Sequence, residues 1–165
     1  MSSERLQQEE HIRYILDTYG DLMYRMSLSI VGNRADAEDM VQDALLTYVK
    51  EAPHFPDEAH EKQWLVRVVR NQSLMLIRKN KNHERILSEY SKVSVGKDAD
   101  YGITEALMTI PEKYRSILVL FYVEEYSVTE IAAIIGKTVS AVKMRLKRGR
   151  EMLCERMKNV RGDMS

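Results

Sequence analysis

The sequence predicts an all-α protein of two small helical domains joined by a short linker, the C-terminal one a helix-turn-helix. Three observations predict this. Glycine and proline number only 7 and 3 in 165 residues, and the chain is rich in Leu, Met, Glu, Lys, Arg and Ala, the residues most at home in helices. Apolar residues recur at three- and four-residue spacing, and no strand-like alternation persists. Val93 to Tyr101 have no usable period, which places a domain boundary there. The expected organisation is a first domain over 1–92, a linker over 93–103 and a second domain over 104–165.

Ile12, Ile15, Leu16, Tyr19, Leu22, Met23, Met26 and Ile30 define a long amphipathic helix that Gly32-Asn33 ends. Asp36 then reads as an N-cap, with Glu38 and Asp39 in the first turn, where the helix dipole favours acids. Val41, Ala44, Leu45, Tyr48 and Val49 form the buried stripe of this second helix. Pro53 and Pro56 break the chain. A third helix is expected from Ala59 to Lys79, with Trp64, Leu65, Val68, Val69 and Leu76 toward the core, and a shorter one from Glu84 to Lys92. Helices resume at Thr104, and Pro111 opens the next, at a position helices accept.

The best-marked local pattern follows. Ser127-Val128-Thr129-Glu130 pairs a hydroxyl cap with a glutamate three residues on, the capping-box spacing. A short helix from Val128 to Ile135 would bury Ile131, Ala132 and Ile135, and small Ala132 would let another helix approach. Gly136 suits the left-handed position that ends a helix. Thr138 can cap a new helix from Val139 to about Leu153, with Val142, Leu146 and Leu153 on its inner face. Helix, glycine turn and basic helix together make the helix-turn-helix pattern, whose second helix enters the major groove of DNA. Thr138, Ser140, Ala141 and Met144 are the candidate base-edge readers. Lys137, Lys143, Arg145, Lys147, Arg148 and Arg150 are the candidate phosphate contacts.

The net charge of zero, from 25 basic and 25 acidic residues, argues against a protein that coats nucleic acid. Along the chain, however, the zero resolves into blocks. Residues 1–58 carry −7, 59–92 carry +5, 93–103 carry −1, 104–136 carry −3 and 137–165 carry +6. Two basic surfaces separated by acidic ones suit two contacts with a polyanion, with the acidic faces left for another partner. One cysteine, Cys154, rules out an intramolecular disulfide framework. The four histidines (11, 54, 60 and 83) lack metal-ligand spacing, and no phosphate-binding glycine loop or catalytic triad pattern is present, so neither an enzyme nor a cofactor is expected. The polar, acidic N-terminus does not read as a signal peptide and no apolar run could span a bilayer, so a cytoplasmic protein is expected.

Two further stripes lie in the first domain. Asp39, Gln42, Asp43 and Leu46 share one face of the second helix, apart from its buried stripe. Such a face fits either solvent or a basic protein partner. On the third helix, Arg67, Arg70, Asn71, Leu74 and Arg78 form a ridge that Lys79 and Lys81 extend, with Trp64 near the helix start. Cations beside an aromatic residue and an amide suit unpaired DNA, although Trp64 also suits the core.

These motifs resemble the sigma-70 family of bacterial RNA polymerase sigma factors, in its compact extracytoplasmic-function group, over roughly residues 10–155. The carriers in the first domain are Glu38-Asp39-Met40-Val41-Gln42-Asp43 and Trp64-Leu65-Val66-Arg67-Val68-Val69-Arg70-Asn71. In the second domain they are Pro111-Glu112-Lys113-Tyr114-Arg115, Glu130-Ile131-Ala132-Ala133-Ile134-Ile135-Gly136, and the run from Val142 to Arg150. The resemblance implies a transcription initiation factor. Asp39, Gln42, Asp43 and Leu46 would dock on core RNA polymerase. Trp64, Arg67, Arg70, Asn71, Arg78 and Lys79 would meet the minus-ten promoter element, with Asn71 near a flipped-out base, and the recognition helix would read the minus-thirty-five element. Core polymerase, promoter DNA and an anti-sigma factor are the implied partners. Met75, Ser140-Ala141 and Met144 depart from the family's frequent Asp, Gly-Thr and Ser, changes that touch sequence reading and leave the architecture intact. The alternative is a helix-turn-helix repressor or activator whose first domain dimerises or senses, but such a regulator needs neither the acidic face nor a second basic helix.

Overall fold

The computed structural model describes residues 2–51, 53–79 and 106–163. The expected linker and the expected helix from Glu84 to Lys92 lie outside the described residues. Three long helices come first: α1 (Ser2–Val31), α2 (Arg34–Glu51) and α3 (Glu58–Lys79). After a single helical turn at 106–108 come α4 (Glu112–Leu118), whose end widens into a π-helical turn (Val119–Val123), then α5 (Val128–Ile135) and α6 (Val139–Asp163).

Helices α1, α2 and α3 pack on one another as a three-helix bundle. Its core takes Ile15, Met23, Met26 and Ile30 from α1, Ala37 and Ala44 from α2, and Leu65, Val66 and Val69 from α3. The three- and four-residue spacing of α1 holds these side chains on one face. Gly32 turns the chain out of α1 with φ 81°, a conformation natural to glycine. The next residue, Asn33, caps α2: its Oδ1 accepts from the Asp36 amide at 2.9 Å while its Nδ2 donates to Asp36 Oδ2 at 2.9 Å. Asp36 is therefore the third helical residue and not the cap, because Asn33 already satisfies the free amide. Asp57 does the same for α3 through the His60 amide at 2.9 Å, so that helix starts just before Ala59, at Glu58.

Helix α3 buries a wider arc than its apolar spacing foretells. Leu65 and Val69 are buried as expected, Trp64, Val68 and Leu76 sit at the rim, and Val66, Arg70, Ser73 and Leu74 are buried as well. The reason is a second cover: α3 packs against α5 in addition to α1 and α2. The same cover turns α5, which buries Ile131, Ala132 and Ile134 and leaves the expected Ile135 partly exposed.

The C-terminal half follows its caps closely. Ser127 Oγ accepts from the Glu130 amide at 3.1 Å, and Glu130 Oε1 accepts from the Ser127 amide at 3.0 Å. Gly136 ends α5 at φ 69°, and Thr138 Oγ1 accepts from the Ala141 amide at 3.1 Å to open α6. Helix α6 crosses α4 where Gly149 lies: a Cβ there would stand 3.2 Å from Leu118 Cδ1, so a bare backbone sets the close approach. Beyond Leu153, α6 continues to Asp163. The buried apolar residues of both halves form one cluster.

Candidate nucleic-acid interface

Helix α6 follows the turn at Gly136, with Val142 and Leu146 holding it against the rest of the fold at 0% and 3% exposure. That anchoring fixes which face is free. Lys137, Thr138, Ser140, Lys143 and Met144 are exposed near its N-terminal end, and Ala141 and Arg145 are half-buried. Lys147, Arg148 and Arg150 continue the exposed basic side. Some of these groups already have work. Thr138 spends its hydroxyl on the cap, Arg150 donates to the Tyr122 hydroxyl at 3.2 Å, and Arg148, by hydrogen bonding, holds the Tyr114 phenol below its ordinary pKa. Lys137 just before the helix, Ser140, Lys143 and Met144 in its first two turns and Lys147 in the third are exposed together, as a groove-reading helix requires.

The α3 ridge divides in two. Asn71, Arg78 and Lys79 are exposed. Arg67 and Arg70 both meet the helix-turn-helix half, Arg67 while remaining exposed and Arg70 buried. Arg67 Nε donates to the Ile134 carbonyl at 3.1 Å, and its Nη2 donates to the Ala133 carbonyl. Arg70 is only 6% exposed and its Nε is buried without a partner. Burial, and then the charges of Arg145 and Arg78, push its pKa down to about 10, still a cation at neutral pH. Leu74, on the same expected stripe, is buried in the core. Sequence spacing brought these residues onto one helix face, but it could not show that a second half of the chain covers part of it.

Trp64 stands at the rim of the core in edge-on contact with Tyr48 and Phe55, ring centroids 5.6 and 5.9 Å away. Beneath it, Tyr48 donates to Glu61 Oε2 at 2.8 Å, and His11 Nε2 lies 3.0 Å from the same hydroxyl and 3.1 Å from the same carboxylate. Burial and that carboxylate raise the Tyr48 pKa. This network ties α1, α2 and the start of α3 together and fixes the approach to Trp64. No motif marked His11 or Glu61; a buried glutamate opposite a histidine and a tyrosine is visible only in three dimensions.

The acidic face of α2 is open: Asp39, Gln42 and Asp43 are exposed, and Leu46 is 66% exposed. Asp43 and Leu46 border a groove of about 420 Å³ whose far wall is α3, through Gln72, Met75 and Lys79. An exposed leucine ringed by carboxylates, beside a groove with exposed Met75, is a surface suited to a protein with basic and apolar side chains.

Fold and surfaces together describe a two-part helical protein of the DNA-binding type, with an exposed acidic face on α2 apart from its basic helices. Residues 15–83 match the family model for sigma-70 region 2, and residues 102–153 match that for sigma-70 region 4. The chain belongs to the sigma-70 family, in the extracytoplasmic-function (ECF) group of RNA polymerase sigma factors. It is 28% identical over 165 aligned residues to the ECF RNA polymerase sigma factor SigW of Bacillus subtilis, with 88% of each chain covered. It is 29% identical to RNA polymerase sigma factor SigV of the same organism, covering 86% of this chain and 87% of that one. Its fold is similar to that of the sigma factor RpoE from Bartonella quintana, solved in complex with the anti-sigma factor NepR, with a TM-score of 0.70 at 22% identity over 90% of this chain and 98% of that one. Among the described residues, no helix is long and apolar enough to cross a membrane.

Proposed function

We propose that this sigma factor works through three surfaces, each with one task in transcription initiation. The α2 face of Asp39, Gln42, Asp43 and Leu46 docks on core RNA polymerase. The α3 residues Trp64, Arg67, Arg70, Asn71, Arg78 and Lys79 engage the minus-ten element as it melts, with Asn71 beside an extruded base, whose unstacking costs a few kcal/mol that local contacts must offset. At the start of α6 and along it, Thr138, Ser140, Ala141 and Met144 read the minus-thirty-five duplex, while Lys137, Lys143, Arg145, Lys147, Arg148 and Arg150 meet its phosphates. The chain acts as a cytoplasmic subunit of the polymerase and not as an enzyme. An anti-sigma factor is a further partner, consistent with the complex in which the Bartonella quintana relative was solved.

One observation carries this reading: the acidic docking face and the basic helices occupy separate surfaces of one fold, in the order in which the region 2 and region 4 matches fall. A helix-turn-helix repressor has no use for that acidic face. The test is to reconstitute the chain with core polymerase and map run-off transcript starts on genomic fragments. Starts at a shared promoter sequence, absent with core alone, are expected. No chain-dependent start would end the proposal.

A further inference from the structure

We infer that Glu61 is a positioning residue for promoter melting: with His11 of α1 it anchors the Tyr48 hydroxyl, and so holds Tyr48, Phe55 and Trp64 as one fixed aromatic surface at the start of α3. The inference rests on the minus-ten role proposed above for Trp64. It adds to that role two residues, on α1 and α3, that touch no DNA in that reading.

Glu61 is a costly residue to keep in its place. Its side chain is only 10% exposed, three residues before Trp64 on α3. A buried carboxylate gives up water that its partners must replace, and an apolar residue of similar volume often gives equal or greater stability. What the carboxylate supplies instead is direction. Tyr48 donates to its Oε2 at 2.8 Å, and His11 Nε2 lies 3.1 Å from the same oxygen and 3.0 Å from the Tyr48 hydroxyl, which closes a triangle across three helices. An ionised carboxylate only accepts, so it sets which way the phenol points. Burial and this hydrogen bond raise the Tyr48 pKa, so the phenol stays a donor throughout neutral pH.

The anchored ring is the one that Trp64 leans on. Tyr48 meets Trp64 edge-on, with centroids 5.6 Å apart and planes at 83°, and lies 6.3 Å from Phe55. Phe55 in turn meets Trp64 at 5.9 Å. It stands between Pro53 and Pro56 in the connection from α2 to α3, where no helix fixes it. Rings held only by one another can tilt together, and a directed hydrogen bond to one of them removes that freedom. Trp64 is half-buried, so part of its ring faces outward. Unpaired bases stack on aromatic side chains, and a surface already in place loses no freedom when they arrive. The benefit falls on the melting step. Contact with the closed duplex, which α6 serves, gains nothing from it.

Full-length Glu61→Leu, Glu61→Gln and Tyr48→Phe are compared with the parent, each alone and combined with Trp64→Ala. The chain has one tryptophan, so acrylamide quenching of its emission in the free protein reads Trp64 directly. In holoenzyme reconstituted with core polymerase, on a promoter found by the transcript mapping above, permanganate reactivity reads melting and low-temperature competition reads the unmelted complex. Glu61→Leu and Tyr48→Phe should raise quenching and lower melting by about three- to tenfold, the worth of one hydrogen bond, with unmelted binding unchanged. Glu61→Gln, whose amide oxygen still accepts from Tyr48, should keep most of the parental melting. In the Trp64→Ala background neither Glu61→Leu nor Tyr48→Phe should lower melting further, since a residue that acts through Trp64 has no effect once Trp64 is gone. Should Glu61→Leu lower helicity by circular dichroism, Tyr48→Phe, which removes a single oxygen, carries the test. Losses that add in full to that of Trp64→Ala, or that fall equally on unmelted binding, would reveal a purely structural role and overturn the inference. Unchanged quenching would overturn the inference alone, whereas normal melting by Trp64→Ala would overturn the minus-ten reading of Trp64 and the inference with it.

Discussion

Arg115 gives the sharpest prediction about stability. It is 6% exposed, and its guanidinium donates to the Ser29 carbonyl at 2.5 Å, to Ile110 at 2.8 Å and to Ile30 at 3.0 Å, with Met108 at 3.4 Å. Ser29 and Ile30 lie in the last turn of α1, where carbonyls lack helical partners, so Arg115 serves as a side-chain cap delivered from another helix. Arg115→Ala removes every one of these bonds and leaves the carbonyls in a space too tight for easy rehydration. A hydrogen bond to a charged donor contributes about 1.5–3 kcal/mol, and bonds made by one group do not add in full. The charge-desolvation penalty disappears with the side chain and offsets part of the loss. The expected net cost is about 3–5 kcal/mol, on the order of 10 °C in Tm for a chain of this size. Urea unfolding followed by circular dichroism is the assay. Because Arg115 joins α4 to α1, the variant should also broaden or split the transition as the two halves melt apart. Arg115→Lys should recover only part of the loss, since one ammonium cannot reproduce the planar fork. A loss below about 1 kcal/mol with a single sharp transition would refute the capping role.

Four other outcomes follow from the same geometry. Asp39→Ala with Asp43→Ala should weaken pull-down of core polymerase while leaving helicity unchanged, since both side chains are exposed; undiminished capture would remove this face from the docking role. Lys143→Ala should weaken promoter binding and lower the slope of log affinity against log salt by about one, and an unchanged slope would mean that Lys143 touches no phosphate. Asn71→Ala should impair promoter melting more than duplex binding, with permanganate reactivity as the measure. At high pH the buried phenols decide: burial raises Tyr19 to about 12 and raises Tyr48 and Tyr126 as well, so their stabilising effect is complete below the ordinary tyrosine value near 10 and is lost as pH rises through the folded values. Melts from pH 8 upward should show this decline, and Tyr126→Phe, which also removes an unpartnered hydroxyl, should be more stable than the parent by up to about 2 kcal/mol.

Local chemistry made most of the helix ends legible. Ser127 with Glu130, Gly136 and Thr138 each act through neighbours a few residues away, so their spacing alone located α5 and the start of α6. Most of the α1 stripe was legible for the same reason, although Leu16, expected on it, is 48% exposed. What spacing could not reveal is set by residues far apart in the chain. Arg70 reads as a surface cation although the fold buries it beside the charge of Arg145, and Arg115 stands out as a family motif residue without any sign that it caps α1, 85 and 86 positions away. The π-helical turn at Val119–Val123 follows an unbroken apolar run that fits an ordinary helix equally well. Glu125, at φ 58°, sits where glycine or asparagine would have signalled the turn. Helix α6 outruns its expected end at Leu153, where Cys154, Glu155, Arg156, Lys158 and Asn159 are exposed and no apolar stripe marks the continuation.

The balanced charge of the chain gains a physical meaning from the placement of its cations. A DNA-binding protein ordinarily draws its target by a long-range positive field, and a chain with 25 charges of each sign has little of one. What cationic surface it has is divided between α3 and α6, and within the α3 share Arg67 is tied to α5 carbonyls and Arg70 is buried. Each promoter contact is then weak alone. They become strong together only when both halves are held at the separation of the two promoter elements, which converts the second contact into an intramolecular one. A polymerase held on the proposed α2 docking face would be the kind of frame that imposes such a separation. The free chain should accordingly bind a duplex promoter poorly and with little sequence preference, and core polymerase should raise both affinity and selectivity. Tight, selective binding by the free chain would contradict this account and favour a repressor that reads DNA unaided.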